Sequence, residues 1–486
     1  MDGGGKSDWS VVPASLPNEA AAEEAGEERD RVLGNTGSET SPGRSAGPGE
    51  SSGLGRVREV ARKDKDARFT ALLHHVTPEL LERSFRSLKK DAAPGADGVR
   101  WRDYGRGAPV RLLSLWERAQ QGKYRAVPSR RVYIPKADGR QRPLGIASLE
   151  DKVLQRAVTE VLNAVYEADF KGFSYGFRPG RSQHDALDAL SVGLGTKVNW
   201  VLDADIRGFF DHLDRGWLAK FLRHRIADER ILRLVTKWLN AGVLEDGQWS
   251  DSGEGTPQGG SLSPLLANVY LHYVLDLWVD HWRKTQARGN VIVTRFADDF
   301  IVGFQYQDDA ERFLGELRGR LAKFALELHP EKTRLIEFGP HAARLRKARG
   351  EGKPETFTFL GFRHVARMTR GRFWVQRTTD KKKMTAKLKS VKAELMRKRH
   401  LPVPEQGRWL ASVIAGHQAY YAVPGNAKAV GTFRHQVTRH WRHALSRRSQ
   451  KGRVTWERMN RIASRYLPRT RTVHPWPDKR FAARYS

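Results

Sequence analysis

The stretch VIVTRFADDFIVG at residues 291–303 sets two adjacent carboxylates, Asp298 and Asp299, between apolar runs of strong β propensity. The run fits a strand, a turn and a second strand, and seating two acids in it lowers its stability, so the local rule is broken for a reason. Taken singly, an Asp-Asp pair is also common in solvated turns. A second acidic strand is spelled by WVLDADIRGFFD at 200–211, where period-2 alternation puts Asp203 and Asp205 on one face. Alone it also reads as an edge strand with outward acids. Side by side in one sheet the two strands bring Asp205 near Asp298, and like charges that close need a cation. Hard oxygen donors without imidazole or thiol in either strand point to Mg²⁺ and to two-metal phosphoryl transfer.

Between these strands lies GTPQGGSLSP at 255–264, whose glycines permit close backbone approach and whose Gln258 offers an amide donor and acceptor. It reads as a nucleotide-contact loop, or as an ordinary glycine-rich turn before a helix. Upstream, the short β-branched run Val132-Tyr133-Ile134, the turn at Asp138-Gly139 and Leu144-Gly145-Ile146 suggest a hairpin. Lys136 and Arg142 flank that turn, either as surface cations or as a clamp on incoming phosphates.

The whole chain has 486 residues, enough for two to four subdomains, and 39% hydrophobic residues supply the apolar surface to bury. Lys plus Arg number 86 against 55 Asp plus Glu, a net charge of +31 that a polyanionic partner accommodates. The absence of cysteine excludes disulfides, thiolate zinc sites, iron–sulfur clusters and cysteine nucleophiles. The longest charge-free stretches, 255–275 and 409–427, carry Pro, Gln, Asn, Gly and His, so no membrane span and no signal peptide is expected, and a cytoplasmic, nucleoid-associated protein is.

Charge is polarised along the chain: residues 1–50 carry −6 and residues 381–486 carry +22. The Gly/Ser/Glu-rich segment 1–55 reads as disordered. Thr77-Pro78 followed by Leu80, Leu81, Phe85 and Leu88 marks a capped helix, further helices are expected near 150–168, 215–241 and 262–284, and the last hundred residues read as basic and helical. Alternating strands and helices give an α+β class.

With these motifs in order, the chain resembles a group II intron reverse transcriptase/maturase over residues 56–486. The resemblance rests on Ala93–Gly98, Ile134-Pro-Lys136 with Arg142-Pro-Leu-Gly145, Phe177-Arg-Pro-Gly180, Asp205-Ile-Arg-Gly-Phe-Phe210, Gly255–Pro264, Phe296-Ala-Asp-Asp299, Leu328–Lys332 and Phe359-Leu-Gly361. Phe296 stands where Tyr is commonest and Arg207 where Lys is common. The resemblance implies a right-hand polymerase, with an N-terminal extension and fingers at 56–198, a palm at 199–345, the end of the reverse transcriptase domain at 346–378 and a thumb with maturase region at 379–486. It makes Asp205, Asp298 and Asp299 the acids for two Mg²⁺ ions, replaceable by Mn²⁺, with Asp298 the direct ligand and Asp299 secondary. It gives Phe210 the place under the incoming sugar, with a core phenylalanine as the alternative, and Lys332 the place of an acid for the pyrophosphate leaving group. Tyr420 and Tyr421, with Arg439, Arg442, Arg447 and Arg448, become RNA contacts by stacking and phosphate binding, or the tyrosines core residues.

The implied partners are structured intron RNA, an RNA template with a DNA primer, deoxynucleoside triphosphates and a DNA target. The cysteine-rich His–Asn–His endonuclease found in many members has no counterpart, so priming without second-strand cleavage is expected. The rival readings are a splicing maturase with little polymerase activity and a reverse transcriptase domesticated for phage defence or RNA spacer acquisition.

Overall fold

A computed structural model describes residues 52–135, 141–245, 248–250, 259–448 and 452–485. It opens on helix α1 (Ser52–Lys63). Residues 1–51 of the expected disordered segment lie outside the described residues, whereas 52–55 are helical, because Leu54 finds an apolar site and is 2% exposed. Helix α2 (Pro78–Ser87) starts where expected, capped by the Thr77 hydroxyl on the Leu80 amide with Pro78 in its first turn. Helices α3 (Trp101–Gly105) and α4 (Ala108–Gln120) follow.

The expected hairpin forms from β1 (Ser129–Pro135) and β2 (Gln141–Ile146), paired from Arg130 opposite Ile146 to Pro135 opposite Gln141. Next come α5 (Leu149–Tyr166), α6 (Gln183–Leu194) and the acidic strand β3 (Trp200–Asp205). The 215–241 stretch is two helices, α7 (Arg215–Arg225) and α8 (Glu229–Leu239). The backbone of Phe69 pairs with Arg225 and Ala227 in the break, and the Asp228 carboxylate caps α8 while accepting the amides of Leu72 and Leu73. Strands β4 (Val243–Glu245) and β5 (Gln248–Ser250) extend the first hairpin into a sheet of order β2-β1-β4-β5.

Helix α9 (Ser263–Leu271) runs through a π-helical turn (His272–Asp276) into α10 (Leu277–Thr285). Strands β6 (Val291–Phe296) and β7 (Asp299–Phe304), helix α11 (Gln307–Ala322) and strand β8 (Arg334–Glu337) complete a second sheet, of order β6-β7-β3-β8. After α12 (Ala342–Ala348), strands β9 (Thr356–Phe359), β10 (Phe362–Thr369) and β11 (Arg372–Thr379) form a third sheet. The basic end is helical: α13 (Lys381–Arg397), α14 (Val403–Tyr421), α15 (Ala427–Ser446), α16 (Trp456–Tyr466) and α17 (Pro477–Tyr485).

One apolar core runs from Leu54 to Leu328, so the boundary expected at 198/199 does not separate two cores. Leu202, Ala204, Phe300, Val302 and Phe304 face it from the acidic sheet. Val201 and Ile301, on the opposite face, pack with α6, β9 to β11, Tyr420 and Val423 into a second core. Helices α13 to α16 enclose a third around Trp441. The basic end does not stand apart, because α17 returns to α6, where Asp188 binds Arg377 of β11 at 2.7 Å and Arg480 of α17.

At the start of α5 the Asp151 carboxylate is buried, accepts from the Tyr124 hydroxyl and the Val127 amide (3.1 Å), and is pushed up to about 6 by burial. An acid raised in the folded state contributes stability that is full below its unfolded value near 4 and is lost as pH rises through the folded one. Asp151→Asn should therefore gain melting temperature relative to wild type between pH 5 and pH 7. A constant difference across that window, in paired thermal melts, would leave Asp151 uncoupled from folding.

Candidate active site

Asp205 ends β3 and Asp299 begins β7, and the register of these antiparallel neighbours sets them directly opposite each other. Opposed residues share a face, here the one that carries Val201 and Ile301. Asp298 sits in the two-residue turn Ala297-Asp298 between β6 and β7, so the direct neighbour of Asp205 is Asp299, with Asp298 one position further round the turn. All three acids are half-buried. Ala297 takes the left-handed conformation (φ 57°), which an L-residue occupies at a cost.

Beside this edge the backbone of Glu327 to His329 pairs with Asp205 to Arg207: the His329 amide donates to the Asp205 carbonyl and the Arg207 amide to the Glu327 carbonyl, each at 2.8 Å. The turn that follows carries Lys332 back, and its ammonium lies on the Asp205 carboxylate. The lysine is 55% exposed and can move off. Asp203, two residues back on the same face, lies opposite Arg334 of β8 with the guanidinium at 3.4 Å. Burial pushes its carboxyl up to about 6 against the pull of Arg334. Asp203 is thus paired across the sheet with β8, and Asp205 with a lysine from the turn that leads into β8.

Among the described residues no three carboxylate, imidazole or thiol groups converge as a preformed metal cage. The donor set nonetheless fits a hard divalent cation of the Mg²⁺ type, which takes one or two carboxylates and completes its shell with water and substrate phosphates. The ammonium of Lys332 against Asp205 marks the point where positive charge is needed.

The remaining expected site residues fare unequally. Lys136 and Gln258 lie outside the described residues, and Arg142 is placed through its backbone, opposite Ile134 in the hairpin. The described end of the glycine loop sits against that hairpin: Gly259 has φ 114°, and a Cβ there would come within 2.6 Å of the Gly145 carbonyl. Phe210 is 6% exposed and packs edge-on against Phe209, so most of its ring belongs to the main core.

The stacking role expected of Tyr420 is corrected. Its ring is buried between His184, Phe362 and Tyr421, and its hydroxyl donates to the Leu360 carbonyl at 2.7 Å, so no face is left for a base. Burial, with the Tyr421 phenol and the Asp299 carboxylate adding, holds the Tyr420 phenol well above its ordinary value. Tyr421 is half-buried against Phe362 and His417, and burial pushes its phenol up to about 12. Both rings join the helical end to the second core, which Val201 and Ile301 of the acidic sheet also enter. Arg439 and Arg447 are exposed, whereas Arg442 lies over the Trp456 ring and Arg448 donates to the Leu401 carbonyl.

Residues 134–364 match the family described as reverse transcriptase (RNA-dependent DNA polymerase). Protein YkfC of Escherichia coli is 34% identical over 348 residues, covering 64% of this chain and 87% of that protein. The group II intron-encoded protein LtrA of Lactococcus lactis is 34% identical over 241 residues, 48% of this chain and 40% of that protein. The chain belongs to the group II intron reverse transcriptase/maturase family. Its α+β fold is that of a right-hand polymerase. The nuclear intron maturase 3 of Arabidopsis thaliana mitochondria is a further relative, 31% identical over 128 residues, 26% of this chain and 18% of that protein. The aligned part spans less than half the length of these last two relatives. The family works with divalent metal ions on RNA, DNA and nucleotides, and no described helix is long and apolar enough to cross a membrane.

Sequence reasoning overlooked the side chains beneath the acids. Arg295 and Asp276 are fully buried and paired, and Arg178 of the Phe177-Arg-Pro-Gly180 motif is buried with Glu167 at 2.6 Å. A lone charge in an otherwise apolar run, as Arg295 is in β6, was the available signal for a buried partner.

Proposed function

We propose that this chain copies RNA into DNA for a group II intron, adding deoxynucleotides to a primer 3′-hydroxyl at Asp205, Asp298 and Asp299. The observation that carries the reading is the register that opposes Asp205 to Asp299 with Asp298 in the adjoining turn. Asp205 and Asp298 would hold two Mg²⁺ ions, or Mn²⁺ in their place, with Asp299 secondary. Bound there, the ions would acidify the 3′-hydroxyl and stabilise charge on the triphosphate. Lys332, whose ammonium lies on the Asp205 carboxylate, would supply a proton to the pyrophosphate leaving group. Lys136, Arg142 and Gln258 would contact the nucleotide. The test is incorporation of labelled deoxynucleotides on an RNA template with a DNA primer: product that depends on template and cation supports the reading, and none under any cation refutes it.

Phe210, although largely core, would lie under the sugar of the incoming nucleotide. Phe210→Ala is expected to raise the ratio of ribo- to deoxynucleotide incorporation, and an unchanged ratio assigns Phe210 to the core.

A maturase role, binding structured intron RNA to assist splicing and mobility at a DNA target, is favoured by the charge of +22 over residues 381–486. Replacing the exposed Arg439 and Arg447 with Ser should weaken RNA binding and flatten the slope of log K against log salt, by about 0.7–0.9 for each phosphate no longer neutralised. Filter binding across a salt series reads this directly, and an unaltered slope removes both arginines from the interface.

A further inference from the structure

Beneath the Ala297-Asp298 turn lies a buried cluster that nucleotidyl transfer does not itself use. Arg295 and Asp276 are each fully buried. The guanidinium grips Asp276 with two bonds, Nε to Oδ1 at 2.7 Å and Nη2 to Oδ2 at 2.5 Å. Nη2 also donates to Ser174 Oγ at 2.8 Å, and Nη1 to Asn268 Oδ1 and to the Ala297 carbonyl, both at 3.0 Å. A guanidinium has five N–H donors, and each has an acceptor here.

The scaffold is closed from the far side. Asn268 passes its own amide to the Gly176 carbonyl at 2.8 Å, while the Arg295 backbone pairs with Phe173 and Tyr175. Gly176 lies so close to the turn that a Cβ there would overlap the Ala297 backbone nitrogen. Arg178 folds the loop that carries Gly176, through bonds to the carbonyls of Lys171 and Ser174. Asp276 reaches the cluster from the π-helical turn, a distortion often retained at functional sites.

A buried ion pair is weak evidence for stability, since apolar residues of similar volume often serve as well. The bond that an apolar pair could not replace is the one to the Ala297 carbonyl. That carbonyl belongs to the peptide joining Ala297, in its left-handed conformation, to Asp298. We propose that Arg295 is a positioning residue: it fixes the Ala297-Asp298 peptide and thereby sets where the Asp298 carboxylate meets the divalent cation. The inference rests on the polymerase reading of this site and explains how a turn, ordinarily a mobile element, holds a metal ligand still.

The decisive variant is the full chain carrying Arg295→Met with Asp276→Leu, which removes both charges and keeps the volume. Three measurements are made beside wild type: thermal unfolding, Mn²⁺ affinity by electron paramagnetic resonance with primer–template bound, and the Mg²⁺ concentration at half-maximal extension. The double variant is expected to melt below wild type, because the Ser174, Asn268 and Ala297 oxygens lose their donor, and to stay folded at assay temperature while its Mn²⁺ affinity falls about tenfold or more, as for groups that orient metal ligands, and its Mg²⁺ requirement rises in step. Arg295→Lys keeps a charge for Asp276 and loses the planar fork, so it should show the same shift in affinity. A folded double or Lys variant with wild-type Mn²⁺ affinity overturns the inference. If neither folds, Arg295 is structural and the inference is equally overturned. Wild type that binds no Mn²⁺ and extends no primer would instead refute the polymerase reading.

Discussion

Asp298→Asn is expected to reduce primer extension by on the order of 10³-fold, because metal-borne stabilisation of the transition state is worth several kcal/mol and each 1.4 kcal/mol is tenfold in rate. The substitution keeps shape and removes one charge from a cluster in which Asp205 and Asp299 already oppose each other across the sheet. Relieving like-charge repulsion cannot cost the fold much, so the melting temperature should hold or rise. RNA binding should also hold, since the exposed Arg439 and Arg447 lie in and just after α15, outside the acidic sheet. Single-turnover extension on an RNA template, with melting and filter binding on the same preparation, separates these effects. Extension within a few-fold of wild type would remove Asp298 from the site. Asp205→Asn should be at least as severe and should also release Lys332 from its ion pair, which Asp298→Asn does not.

The second large effect concerns the joint between α6, β11 and α17. Asp188 of α6 is 1% exposed and holds Arg377, equally buried, at 2.7 Å, together with Arg480 of α17. Asp188→Ala would leave the Arg377 guanidinium without its counter-charge, and breaking a buried pair from one side costs about 3–5 kcal/mol. That is a large share of the stability of an ordinary domain. Arg480→Ala should cost far less, since its side chain is 22% exposed and the inner pair survives. Denaturant unfolding of both variants checks the order, and an Asp188→Ala midpoint equal to that of Arg480→Ala would show that the inner pair contributes nothing. The same joint warns against removing residues 381–486 as a test of RNA affinity, because Tyr420 and Val423 help fill the core that Val201 and Ile301 enter from the acidic sheet.

The acidic strands were legible because they break a local rule, and the polar alternation of residues 200–205 correctly placed Asp203 and Asp205 on one face. Helix α2 was legible from its cap and apolar spacing, which act within one or two turns, and α5 formed where a helix near 150–168 was expected. Strand β8 was missed because four residues carry too little periodicity, and β10 with β11 because His364 and Arg377, polar residues at buried positions, break their alternation. The 215–241 stretch was taken as continuous because its break at Ile226 to Asp228 is imposed by Phe69, more than 150 residues earlier.

Residue type and order along the chain were enough to single out the acids, to point to the family and to mark the basic helical end, since each depends on composition or on neighbours a few residues away. Folding alone settled which partner each of these groups meets. Asp205 faces Asp299 because of register, Lys332 reaches Asp205 because Leu328 pairs beside Ile206, and Tyr420 is core because α14 lands on Phe362. Arg295 finds Asp276 through a π-helical turn that no local pattern announces. The physical reason is common to all four: burial of a charge or a ring is decided by a segment arriving from elsewhere, and its energy is absent until the chain has closed that distance.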